Sequence, residues 1–263
     1  VKLFLKVSIA ILVFAALVLP AGCGSPTPTV TPDLNKAAIV DQLSLRESNP
    51  EFIATATKLL ESYGFTVDLW QGAAVTVDFY HRLPGMGYKF IVLRVHSGLL
   101  ISLEADNTTR TLDTTYLFTS ENYSTTKYVS DQLADRVSNA MMDENSPLVF
   151  AVNSEYIKRA DGKFNNSIIL AMGCESYKYD DLPAAFIEKG AAAYIGWSDV
   201  VTLDHVDVVT LDLLNNLCSA NMTLSQSIAS TFSRFGKDPY FGSFMKYYPS
   251  ASGNSTVAQI IGK

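Results

Sequence analysis

The chain has 263 residues, 48% hydrophobic and 17% charged, with 15 Gly and 10 Pro. That excludes a collagen-like or wholly disordered chain and leaves ample length for a buried core. Its 20 Lys and Arg against 26 Asp and Glu give a formal net charge of −6; nucleic acid, which needs clustered positive charge, is not an expected partner.

Cys23, Cys174 and Cys218 are too few for a disulfide scaffold, and no C-x-x-C or H-E-x-x-H motif, phosphate loop or G-x-S-x-G elbow occurs. No metal or organic cofactor is required, although Asp180-Asp181 offers carboxylates to a structural calcium ion.

Lys2 and Lys6 precede an uncharged run, Val7 to Leu19, that leads into Pro20-Ala21-Gly22-Cys23. Charged, apolar, then small is the order of a secretory signal. The run is about 13 residues, short of the roughly 20 that a bilayer-spanning helix needs. Its Ala-Gly-Cys end resembles the lipobox of prokaryotic lipoproteins, which implies lipidation of Cys23 and attachment to the outer face of the cell membrane. GSPTPTVTPD from Gly24 to Asp33 alternates Pro and Thr and reads as an extended stalk. The expected organisation is a signal over residues 1–22, a lipid-attachment cysteine and stalk over 23–36, and an α/β domain over 37–263. Sequons start at Asn107, Asn122, Asn165, Asn221 and Asn254.

From Ala37 onward strands and helices alternate. Ala37–Leu43 is a short apolar run. Asn49-Pro50 opens a helix over Glu51–Tyr63, stopped by Gly64, with Phe52, Ala56, Leu59, Leu60 and Tyr63 at helical spacing. Phe65–Trp70 reads as a strand, Ala74–Leu83 as a helix, and YKFIVLRV (Tyr88–Val95) as a fully buried strand of the parallel kind. Residues 99–130 are rich in Thr, Ser and Tyr and read as an inserted β-hairpin region. Asp131–Met142 reads as helical and Pro147–Ile157 as a further strand. SIILAM (Ser167–Met172) is another buried strand. Leu182–Lys189 is an amphipathic helix closed by Gly190, and Ala191–Trp197 is the next strand. LDLLNNLCSA and Ser225–Phe235 look helical, and the aromatic tail Tyr240–Tyr248 is expected to pack back on the domain. The economical fold is a three-layer α/β sandwich with a mostly parallel sheet, whose ligands bind beyond the carboxyl ends of the strands.

Two reactive residues fall at such ends. His96 follows FIVLRV and precedes Ser97-Gly98; Cys174 follows SIILAMG. If the strands are neighbours, imidazole and thiol share one edge, where the imidazole can take the thiol proton. Gly98 and Gly173 supply backbone N–H groups for an oxyanion. The chemistry implied is attack on an acyl carbon, as in peptide hydrolysis. The plainer alternatives are a buried thiol beside an incidental imidazole, or a Cys174–Cys218 disulfide in an exported protein. His81 reads as a surface residue and His205, between Asp204 and Asp207, as part of a solvated loop. Arg94, inside a buried strand, needs a carboxylate partner such as Asp68.

A hydrophobic strand ending in His and a second ending in Gly-Cys resemble the caspase-fold cysteine peptidases, among them caspases, gingipains, clostripain, separase and CHAT domains. LPAAFIEKGAAAYIGWSDVV is similar to the stretch after the nucleophile in the gingipain and CHAT members, where a helix and a Gly-Ala turn lead into a strand ending beside the substrate cleft. The resemblance covers about Phe65 to Phe235. It implies a His96–Cys174 dyad and a substrate pocket lined after the strand, for which Trp197, Ser198, Asp199 and Asp204 are candidates. The two aspartates would favour a basic side chain. The expected activity is that of a membrane-tethered extracytoplasmic cysteine endopeptidase acting on protein or peptide substrates. The competing expectations are a catalytically inactive surface lipoprotein of the same fold, serving as a binding or scaffold module, and an extracytoplasmic solute-binding protein.

Overall fold

The computed structural model describes residues 35–103, 109–142 and 145–262. The expected export signal, Cys23, nearly all of the expected stalk and the sequon at Asn107 lie outside the described residues. Among the described residues no helix is long and apolar enough to cross a membrane.

The chain begins with β1 (Lys36–Asp41), α1 (Pro50–Tyr63), β2 (Thr66–Gln71), α2 (Val77–Arg82) and β3 (Phe90–Arg94). It then runs through β4 (Ser97–Leu103), β5 (Thr109–Asn122), the single turn α3 (Val129–Gln132), β6 (Val137–Ala140), β7 (Val149–Asn153) and α4 (Ser154–Arg159). The last third contains β8 (Ser167–Ala171), α5 (Asp181–Glu188), β9 (Ala191–Trp197), α6 (Leu203–Cys218), α7 (Leu224–Phe235), β10 (Met245–Tyr248) and α8 (Val257–Ile261).

The main sheet has the order β10-β9-β8-β3-β1-β2. Its strands pair in parallel except β10, which runs antiparallel to β9 at the edge. All five residues of β3 and of β8 are buried, as expected of strands covered on both faces. Successive residues serve opposite faces. Phe90, Val92, Ile168 and Leu170 join a core with α1, α6 and α8, while Ile91, Leu93, Ile169 and Ala171 join one with α2, α4 and α5. Each large aliphatic chain buried this way contributes roughly 1.5–3 kcal/mol. The protein is thus an α/β fold with helices on both faces of a mostly parallel sheet.

The helices start where the chain supplies caps. The Asn49 side chain accepts the Phe52 N–H at 3.0 Å, with Pro50 in the first turn of α1. Gly190 turns α5 into β9 at φ +105°, and a Cβ there would strike the Phe164 carbonyl.

Two expectations give way. Asp131–Met142 is not a helix: α3 is one turn, Asp135 takes a left-handed conformation (φ +54°), and β6 follows. The Arg136 backbone N–H and its Nε both bond Asp131, at 2.9 and 2.7 Å, which closes the turn and releases the chain to pair with β7. β6 and β7 complete a second, antiparallel sheet of order β4-β5-β7-β6, so the strand within Pro147–Ile157 serves this smaller sheet. Within the aromatic tail, Ser243 is buried and Met245–Tyr248 pair with β9, while Tyr240 and Phe241 stay 81% and 55% exposed.

Candidate active site

β3 and β8 are hydrogen-bonded neighbours, with Leu93 opposite Ala171. The residues that follow them, His96 and Cys174, therefore emerge from adjacent strands at one carboxyl edge. Both line one cavity of about 680 Å³, together with Leu43, Glu47, Gly173 and the Val201–Val206 segment. This is the edge at which parallel sheets bind ligands.

Cys174 is partly buried, and it and Cys218 are both free thiols, so the two form no disulfide. Cys218 sits buried in α6, and burial pushes its thiol up to about 12. The Cys174 thiol donates to the Val201 carbonyl and its sulfur accepts from the Val201 N–H, each at 3.5 Å. Burial raises its pKa; the Val201 N–H works against that, and the Glu175 and Asp238 carboxylates add to it. The resting sulfur is therefore a thiol rather than a preformed thiolate.

His96 occupies the link between the two sheets. Its backbone N–H donates to Gln42 Oε1 at 3.0 Å, and its carbonyl accepts the Phe118 N–H at 2.9 Å. Its ring packs against Phe118 with centroids 6.0 Å apart. Gln42, buried directly after β1, also donates from Nε2 to the Thr119 carbonyl and to Met142 Sδ, both at 3.3 Å.

Ser97 and Gly173 fit each other. The Ser97 hydroxyl donates to the Cys174 carbonyl at 2.6 Å. A Cβ on Gly173 would collide with that hydroxyl and lie 2.6 Å from the Val95 carbonyl. Only glycine permits this approach, so Gly173 sets how closely the His96 and Cys174 segments meet. Gly98 lies within β4 opposite Tyr116 and does not line the cavity. Glu175, beside the thiol, has a left-handed backbone (φ +56°). Bonds from its N–H to the Asp199 carbonyl (3.0 Å) and from Lys178 to its carboxylate (2.9 Å) hold it there.

The remaining candidates separate. Asp204 lines the cavity. Trp197 is buried and faces a separate cavity beside α7. Ser198 bonds the Phe244 N–H at 3.1 Å, and Asp199 pairs with Lys178 at 3.1 Å; neither lines the first cavity. His205 belongs to the first turn of α6 rather than to a solvated loop; it lines the cavity, and its Nε2 is buried with no partner among the described residues. His81 lies 3.4 Å from Asp161, with its side chain 36% exposed. Arg94 pairs with Asp41 (2.8 Å) and, through two nitrogens, with Asp207 (3.0 Å each). Asp68, its expected partner, binds Lys36 and Tyr88 instead.

Among the described residues no group of three or more His, Cys, Asp or Glu is placed to hold a metal. Asp181 turns its carboxylate to the Thr115 N–H at 3.1 Å. Gln42, Leu43, Ser97 and Val201 escape sequence reasoning, because ordinary residue types carry no signal of contacts made across the fold. Comparison with protein-family models and with curated proteins finds no match to this chain.

Proposed function

We propose that this chain is a cysteine endopeptidase of caspase-like fold, exported and tethered to the outer face of the cell membrane through Cys23. The observation that carries the reading is the emergence of His96 and Cys174 from paired parallel strands into one cavity. β9 supports it further, because the chain beyond its end supplies Val201–Val206 to the same cavity, as expected of a strand that ends beside a substrate cleft.

His96 takes the proton of the Cys174 thiol as the sulfur attacks the peptide carbonyl carbon. The imidazolium then gives that proton to the amine nitrogen as the C–N bond breaks, leaving a thioester. Water, deprotonated by His96, hydrolyses the thioester and restores the thiol. With burial favouring the thiol, base catalysis by His96 is essential at neutral pH. Backbone N–H groups near Gly173 and Cys174 carry the oxyanion. Asp204 and Glu47 give the cavity an acidic rim suited to a basic substrate side chain.

A second reading, a catalytically silent surface-binding module, draws on the thiol being turned onto the Val201 carbonyl. Peptidyl acyloxymethyl ketones separate the two. A peptidase is labelled at Cys174; Cys174→Ala and His96→Ala abolish labelling and hydrolysis, and Cys218→Ala retains both. Full hydrolysis by Cys174→Ala would end the peptidase reading, and an unlabelled wild-type chain would favour the silent module.

A further inference from the structure

His96 borders two cavities. The first is lined by Cys174; the second, of about 90 Å³, lies between the segment after β1 (residues 42–46) and Asn122, Met142, Pro147 and Val149, and does not touch Cys174. Leu43 joins His96 in lining both. Resting on the peptidase reading, we infer that the second cavity is the leaving-group subsite, which takes a small-to-medium apolar side chain from the residue after the scissile bond.

The chemistry of the dyad fixes the assignment. The sulfur must reach the acyl carbon, so the acyl half of the substrate occupies the cavity that Cys174 lines. The proton returns from His96 to the amine nitrogen, so the amine half leaves along the imidazole. A cavity lined by His96 and not by Cys174 is where the first side chain of that half falls.

The lining sets the class of that side chain. Leu43 and Val149 are buried apolar walls, with Leu45, Met142 and Pro147 around them. None of the lining residues is a carboxylate, so a basic side chain finds no counter-charge there. The volume exceeds the ~10–15 Å³ that one water needs and accommodates a branched aliphatic chain. The strand pairing and the Gln42 hydrogen bonds to His96 and Thr119 define the walls before substrate arrives.

The test uses internally quenched peptides with one acyl half and Gly, Leu, Asp or Lys directly after the scissile bond. A fluorogenic amide with no residue beyond that bond serves as reference. Wild type should cleave the Leu peptide with kcat/KM about tenfold or more above the Gly and Lys peptides, because the apolar walls reward the side chain and Arg46 in the lining repels an ammonium. Asn122→Trp, at an exposed position on the rim, should lower the ratio of Leu-peptide to reference-amide kcat/KM by about tenfold. Met142→Ala should move the preference towards larger side chains. A variant that merely folds poorly lowers both rates and leaves the ratio unchanged. Equal kcat/KM across the four peptides, or an unchanged ratio in Asn122→Trp, would overturn the subsite while leaving the dyad intact. Failure of wild type to turn over any peptide or to be labelled at Cys174 removes the peptidase reading and the subsite with it.

Discussion

Arg94 shows how one residue beneath the cavity is held in place. It is fully buried, yet its guanidinium meets Asp41, Asp207 and the Glu47 carbonyl, and Asn49 donates to Asp207 at 2.9 Å. Burial alone would lower its pKa; the two carboxylates outweigh burial and hold it above the ordinary value. Removing the cation leaves two buried carboxylates without their counter-charge, and breaking a buried pair in that way costs about 3–5 kcal/mol. Arg94→Met should therefore unfold at markedly lower urea concentration than wild type. Arg94→Lys should recover little, because an ammonium cannot reproduce the paired bonds to Asp207. A wild-type midpoint for Arg94→Met would show that the network contributes nothing net.

At the scale of elements, the parts visible from sequence are those whose burial is continuous or periodic. β3, β8 and β9 are apolar runs, and α1 has a cap, an apolar stripe and a glycine stop, so each is recognisable locally. β6 is not, because its strand state depends on Asp135 turning left-handed and on β7 offering an edge. The partners of Arg94 are equally hidden, standing 53 and 113 residues away in sequence. The segment from Gly236 to Phe244 belongs with them. Asp238 accepts the Thr202 N–H and hydroxyl at 2.8 and 2.7 Å and the Tyr240 and Phe241 N–H groups at 2.9 and 2.8 Å. That ties Pro239 and Tyr240, both cavity residues, to the start of α6. Although burial pushes its carboxyl up, the donors of Thr202, Phe241 and Tyr240 pull it down to about 2 from 3.8. A depressed folded pKa means stability present above the unfolded value and lost as pH falls from about 4 towards 2. Asp238→Ala should lose that acid-sensitive part of stability, at a cost of about 1–3 kcal/mol at neutral pH. Peptide hydrolysis should show a raised KM with a smaller change in kcat. An acid-unfolding curve of unchanged shape would refute the assignment.

Across the whole molecule, the proposed dyad straddles a seam. Cys174 follows β8, wholly within the parallel sheet, whereas His96 lies between β3 of that sheet and β4 of the antiparallel one. The distance between imidazole and sulfur is therefore governed by how the two sheets are fastened together. Gln42 is a principal fastener, reaching from β1 to His96, Thr119 and Met142, which lie 54, 77 and 100 residues away. Its amide is suited to the task, because it accepts from one peptide N–H and donates to a peptide carbonyl. Glutamate could make the first bond but not the second. Gln42→Leu leaves the His96 N–H and the Thr119 carbonyl without this partner, at a cost of about 1–3 kcal/mol in stability. More telling is the kinetic consequence. A fluorogenic amide with no residue beyond the scissile bond is bound by the large cavity, which Gln42 does not line, whereas proton transfer depends on the imidazole position. KM should change little while kcat falls by about tenfold or more, since small displacements of a catalytic group carry large rate penalties. Gln42→Glu should fail to restore kcat. A Gln42→Leu protein that folds and turns over the amide at the wild-type kcat would mean that the seam holds its shape without the glutamine.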